Sequence, residues 1–165
     1  MILRTTAALA ATMTMLAACS KAPEPVADAS HADATHAAAT PAAAGFTRTA
    51  PPAGAQVYII SPKDGETVTS PVTVLFGLSG MGVAPAGVAF EGTGHHHLLI
   101  DTDLPAELAM PLPTDEKHVH FGKGQTQAAV ELAPGTHTLQ LVLGDLLHVP
   151  FDPLVVSPKI TITVQ

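Results

Sequence analysis

Nine histidines and a single cysteine, Cys19, are the chemically telling residues of this 165-residue chain. His31 and His36 fall in an alanine-rich stretch; the others are His95, His96, His97, His118, His120, His137 and His148. Neutral imidazoles ligate zinc and copper, and three or four of them at about 2.0–2.1 Å from one ion make a site. Spacing argues for a site over scatter. In an extended segment alternate residues share a face, so His95 and His97 point one way, as do His118 and His120. Each His-x-His pair sets two rings about 7 Å apart at Cα, which suits chelation. His97 and His120 lead as ligands for one divalent ion, Cu(II) or Zn(II), followed by His95, His118 and His137, with His148 as a further one. Cu(I) is less suited, because Met81 and Met110 are the only soft donors beyond residue 20. Asp101 and Asp145 each end an apolar segment. Either could orient a histidine by bonding its other ring nitrogen, although capping a turn is the plainer role.

Other chemistries do not emerge. Gly122-Lys123-Gly124-Gln125-Thr126 lacks the spacing of a phosphate loop. No serine stands with a histidine and an acid in a hydrolase order, so the chain reads as a binding protein rather than an enzyme. Two alternatives stay open. One is an envelope interaction module whose histidines only fix loops. The other is a small metalloenzyme, which needs an open coordination position beside a pocket. One cysteine excludes an intramolecular disulfide and a thiolate cluster. A net charge of −7 argues against a nucleic-acid partner.

The elements that position these residues begin late in the chain. Residues 1–18 read as a signal peptide, with Arg4 ahead of an apolar run too short to span a bilayer. Leu16-Ala17-Ala18-Cys19 resembles a bacterial lipobox, which makes Cys19 the lipidation site and the membrane a partner through that lipid. Ser20 favours the outer membrane, on the periplasmic face of the envelope. Residues 19–53, rich in alanine, proline and threonine, have no periodic apolar set and read as a disordered tether, about 30–35 Å in r.m.s. span. From Gly54 to Gln165 the pattern changes. Residues 56–60, 72–78, 95–101, 119–121, 127–132, 136–143 and 159–164 are β-branched or alternating, separated by Gly/Pro turns. No helical stripe competes with them. About seven short strands predict an all-β, immunoglobulin-like antiparallel β-sandwich. In residues 136–143 the alternation places His137 at the rim of an inward row with Leu139, Leu141 and Leu143.

Five phrases carry a resemblance: SPKDGETVTSPVTVLFGLSGMGVAPAG, GHHHLLID, HFGKGQT, PGTHTLQLVLGD and SPKITITV. With these the stretch from about Val57 to Val164 resembles a bacterial secreted family known as domain of unknown function 4399. The resemblance implies a β-rich secreted domain with a histidine cluster, and no activity. The family pattern has a further histidine after the Gly-Asp turn, in a phrase like H-x-P-H. Here the phrase is His148-Val149-Pro150-Phe151, so Phe151 takes that place.

Overall fold

The structure, a computed structural model, describes residues 45–165. The expected signal peptide, the lipidation site Cys19, His31, His36 and the tether as far as residue 44 lie outside the described residues. Nine strands and no helix occur among the described residues: β1 (Gln56–Ser61), β2 (Thr67–Val68), β3 (Val72–Ser79), β4 (Gly82–Val83), β5 (Thr93–Ile100), β6 (His118–Phe121), β7 (Gln127–Val130), β8 (Gly135–Gly144) and β9 (Ile160–Val164). Seven of them are the segments that alternation marks. β2 and β4 have two residues each, too few for a period to register.

The strands form two sheets, one ordered β1-β3-β7 and one ordered β2-β9-β8-β5-β4, with β6 also paired to β5. The expected all-β sandwich is what the chain builds. Its departure is at the margins, where β2 pairs with β9 and β4 with β5 in parallel, while the longer pairings are antiparallel. Between the sheets lie Val57, Val72, Val74 and Phe76 from one side. Leu98, Ile100, Leu139, Leu141, Leu143, Ile162 and Val164 meet them from the other. Each such side chain stabilises the fold by roughly 1.5–3 kcal/mol on leaving water.

The outer face of the six-stranded sheet is buried as well. β5 is buried from Gly94 to Ile100 without interruption. On that outer face Leu99, Val142 and Leu112 form a second, small apolar cluster, flanked by Leu104 and Val156. Leu104 and Leu112 come from the connection after β5, and Val156 from the one after β8. Two irregular connections thus roof a sheet face that a third sheet layer would cover in a larger protein.

The ordered domain starts ahead of Gly54, the edge that composition suggests. Phe46 N donates to Ala109 O (2.6 Å), and Asp152 N to Thr49 O (2.9 Å). Arg48 Nε donates to Pro150 O at 3.0 Å, a second guanidinium nitrogen donates to Phe151 O, and a third lies 3.4 Å from the Asp152 carboxylate. Thr49 Oγ1 donates to Asp145 Oδ2 at 2.9 Å. These contacts are polar and main-chain, so an apolar pattern carries no trace of them.

Candidate metal centre

The cluster is a product of strand parity and register. On β5 the side chains of His96, Leu98 and Ile100 face the inner core, and His95, His97 and Leu99 face outward. β6 runs antiparallel beside β5, pairing His120 with His97 and His118 with Leu99. β8 on the other side pairs Gly144 with His95 and Val142 with His97. Three imidazoles, His95, His97 and His120, are therefore set side by side on the outer face. The fourth, His148, arrives from the turn after β8. Asp145 builds that turn. Its Oδ1 accepts from the N–H of Leu147 (2.8 Å) and Val149 (3.0 Å), and its carbonyl accepts from His148 N (3.0 Å). His148 has φ 67°, a left-handed conformation that costs a residue with a side chain about 1–2 kcal/mol.

The four rings surround one point. Their centroids are separated by 4.8 Å (His95–His97), 5.0 Å (His95–His120), 4.9 Å (His95–His148), 5.0 Å (His97–His120), 5.9 Å (His97–His148) and 4.6 Å (His120–His148). One nitrogen from each lies within 4.8 Å of the others. Four imidazoles bound tetrahedrally at about 2.0–2.1 Å would have centroids about 5 Å apart, so the residues fit an ion without rearrangement of the backbone.

As hydrogen-bonding groups alone, the rings do not satisfy one another. His95 Nε2 is 3.0 Å from His97 Nε2 and 3.1 Å from His148 Nδ1. An imidazole nitrogen has one in-plane site, filled by a hydrogen or by a lone pair. It cannot make a straight hydrogen bond to both neighbours. His97 Nδ1 and His120 Nε2 are buried with no partner, as is His96 Nε2 on the inner face, a deficit of about 1–3 kcal/mol for each. A cation at the centre would take up the lone pairs that converge there, such as those of His95 Nε2 and His97 Nε2, and would leave His97 Nδ1 as it is.

Burial also sets the protonation state. Desolvation, then repulsion from the neighbouring imidazoles, lowers His97 to about 2. The same causes, partly offset by the Asp145 charge, lower His95 to about 4. His120 is lowered too, chiefly by burial. These rings are held neutral, the form a metal needs.

Two glycines give the rings room. A Cβ on Gly122 would lie 2.3 Å from His120 Cε1, and one on Gly144 would lie 3.0 Å from His97 Nε2. Sequence reasoning singled out neither, although Gly122 follows the His-Val-His-Phe phrase directly.

Four of the six expected ligands come together and two do not. His118 shares the face of His120 but sits one pair further along the ladder. There its Nδ1 bonds the Asp115 carboxylate at 2.9 Å. His137 lies on the inner row of β8, opposite Ile162. Its Nδ1 donates to Asp101 Oδ2 (2.7 Å) and its Nε2 to Ala133 O (2.9 Å). Two donors require the imidazolium, and the Asp101 bond, followed by the Ala133 carbonyl, raises its pKa. Asp101 therefore orients a histidine outside the cluster, whereas Asp145 serves the cluster through the His148 turn rather than through a ring nitrogen. His96 packs on the inner face against Phe76 and donates from Nδ1 to Gln125 O at 3.2 Å. Phe151 is buried in the inner core, on the far side of the sheet from the clustered rings, so its replacing a histidine removes no member of the cluster.

Residues 74–165, more than half of the chain and all four clustered histidines, match the family described as Domain of unknown function (DUF4399). No curated protein and no solved structure gives a significant match.

Proposed function

The chain belongs to the DUF4399 family, and from that premise we propose that it is a metal-binding module of the cell envelope. In this reading Cys19 carries the lipid that holds it to the periplasmic face, with the outer membrane favoured by Ser20. His95, His97, His120 and His148 hold one divalent ion, Cu(II) or Zn(II), for buffering, delivery or sensing.

The observation that carries the metal reading is the short contact of His95 Nε2 with two other ring nitrogens, at 3.0 and 3.1 Å. One ring nitrogen cannot bond both neighbours, whereas a cation can accept a lone pair from each. The loop-fixing role belongs instead to His118 and His137, each already bonded to an aspartate. The anchor rests on the Leu16-Ala17-Ala18-Cys19 phrase.

The test is metal content of the detergent-purified full chain after loading with zinc or copper(II) salts and desalting. One equivalent is expected, none in the His97→Ala/His120→Ala variant, and one in the His31→Ala/His36→Ala control. A wild-type chain that retains no metal refutes the reading. Cell fractionation tests the anchor separately: the wild type should sediment with membranes and Cys19→Ser should not.

A further inference from the structure

We infer that the four imidazoles form a closed tetrahedral shell, which makes Zn(II) the ion it is shaped for and leaves no coordination position for a substrate. The inference rests on the metal-binding reading and narrows it.

The six centroid separations distinguish the two common four-coordinate geometries. A tetrahedron has six equal edges. A square has four edges and two diagonals about 1.4 times longer, and the diagonals share no corner. Here the longest separation is His97–His148 at 5.9 Å. The only pair sharing no ring with it is His95–His120, at 5.0 Å, within 0.4 Å of the remaining edges of 4.6, 4.8, 4.9 and 5.0 Å and far from 1.4 times their length. No assignment of corners gives a square. His95, His97 and His120 make a nearly equilateral base of 4.8, 5.0 and 5.0 Å, and His148 caps it. Zn(II) has no d-electron preference and accepts this arrangement, whereas Cu(II) and Ni(II) favour tetragonal ones.

The base is also rigid. Two of its rings are on β5 and the third is on the β6 residue paired with His97, so the ladder fixes the spacing of the three backbones that carry them. Closure rests on the number of ligands and on burial at the base of the shell: His95 and His97 are 1% and 0% exposed, and the half-buried His120 and His148 stand on its outer side. Asp145, whose charge acts on His95, is buried and already accepts from Leu147 N, Val149 N and the Thr49 hydroxyl. It lends charge to the site without joining the shell. Four protein ligands and no open position mark a zinc ion that is held, rather than one that activates water.

The experiment uses Co(II) as the probe. Its visible d–d absorption is strong in a tetrahedral shell and weak in an octahedral one. The full chain should bind one Co(II) with a strong visible band, and azide, which enters open positions, should leave the band unchanged. Zinc should displace the cobalt one for one. X-ray absorption of the zinc form should show four nitrogens at about 2.0 Å. A weak cobalt band, a band shifted by azide, or a Cu(II) form whose electron paramagnetic resonance is that of an unstrained tetragonal site overturns the inference while leaving metal binding intact. A chain that takes up none of these ions overturns the metal-binding reading itself.

Discussion

His96 and His97 are neighbours on β5 and both are fully buried, yet they lie in different surroundings. His96 enters the space between the sheets, where Phe76 and Phe121 meet, and it has one carbonyl as a partner. His97 enters the space under the loops, where it meets three other imidazoles and no carbonyl. The inner face is built by side chains of another sheet, which are apolar and indifferent to protons. The outer face is built by irregular chain, whose turns can aim a polar group such as His148 at a chosen point. A residue type says little about role until the covering layer is known.

Substitutions should separate these two faces. The largest effect is expected for His96→Ala, which leaves a cavity in the inner core. We expect a loss of about 3 kcal/mol in denaturant unfolding, with one metal per chain retained. Equal metal loss in this variant would mean the faces are not independent. On the outer face, His97→Ala/His120→Ala should abolish the metal-dependent gain in stability, about 2.7 kcal/mol at a free metal concentration of 100 Kd. Thermal melts with and without zinc measure it.

Acid should act next in size. The unfolded chain takes up protons on His95 and His97 near the ordinary value of 6.5, while the folded chain refuses them until about 4 at His95 and about 2 at His97. Folded pKa values below unfolded ones mean stability that is full above pH 6.5 and falls as pH drops towards 4. By about pH 5.7 the loss in the metal-free protein should be on the order of 2 kcal/mol, followed by urea titrations at stepped pH. If the site holds zinc, the same low values predict retention below the pH near 6 at which ordinary imidazoles release a metal, read by metal content after dialysis at stepped pH.

Gly122→Ala should push the His120 ring aside, at a cost of about 1.5 kcal/mol from overpacking, and weaken metal binding without touching a ligand. Calorimetric titration with zinc reads the affinity. The smallest change in the metal-free protein belongs to His148→Gly. Release of the left-handed backbone cost offsets lost ring contacts and a freer unfolded chain, so its stability should move by less than about 1 kcal/mol, while the metal-dependent gain shrinks.

Much of this was legible in the sequence because period-two patterning is a local property. The alternation of Val72, Val74 and Phe76, and of Leu139, Leu141 and Leu143, marks strands and their inward faces without knowledge of the partners. It also places His95 with His97, and His118 with His120. What alternation cannot supply is register. A slip of two residues between β5 and β6 would have brought His118 opposite His97 and His120 opposite His95, and a slip the other way would have set His120 opposite Leu99. Alternation puts His137 on the inward row of β8, but it cannot pair that ring with Asp101 or show that the following turn sends His148 outward. The ends of strands, where backbone φ changes sign at Asp101 and His148, are where the expected ligand set separates from the set of histidines that cluster. Two-residue strands and the polar grip of Arg48 and Thr49 leave no periodic trace at all.

That grip has a mechanical consequence. Arg48 holds the carbonyls of Pro150 and Phe151, and Thr49 holds Asp145, the residue that shapes the His148 turn. A load applied at Gly45 from the N-terminal side would reach this turn before it reached any strand of the six-stranded sheet. Tension on the leading chain would therefore be felt first at the turn that sets the fourth imidazole over the other three.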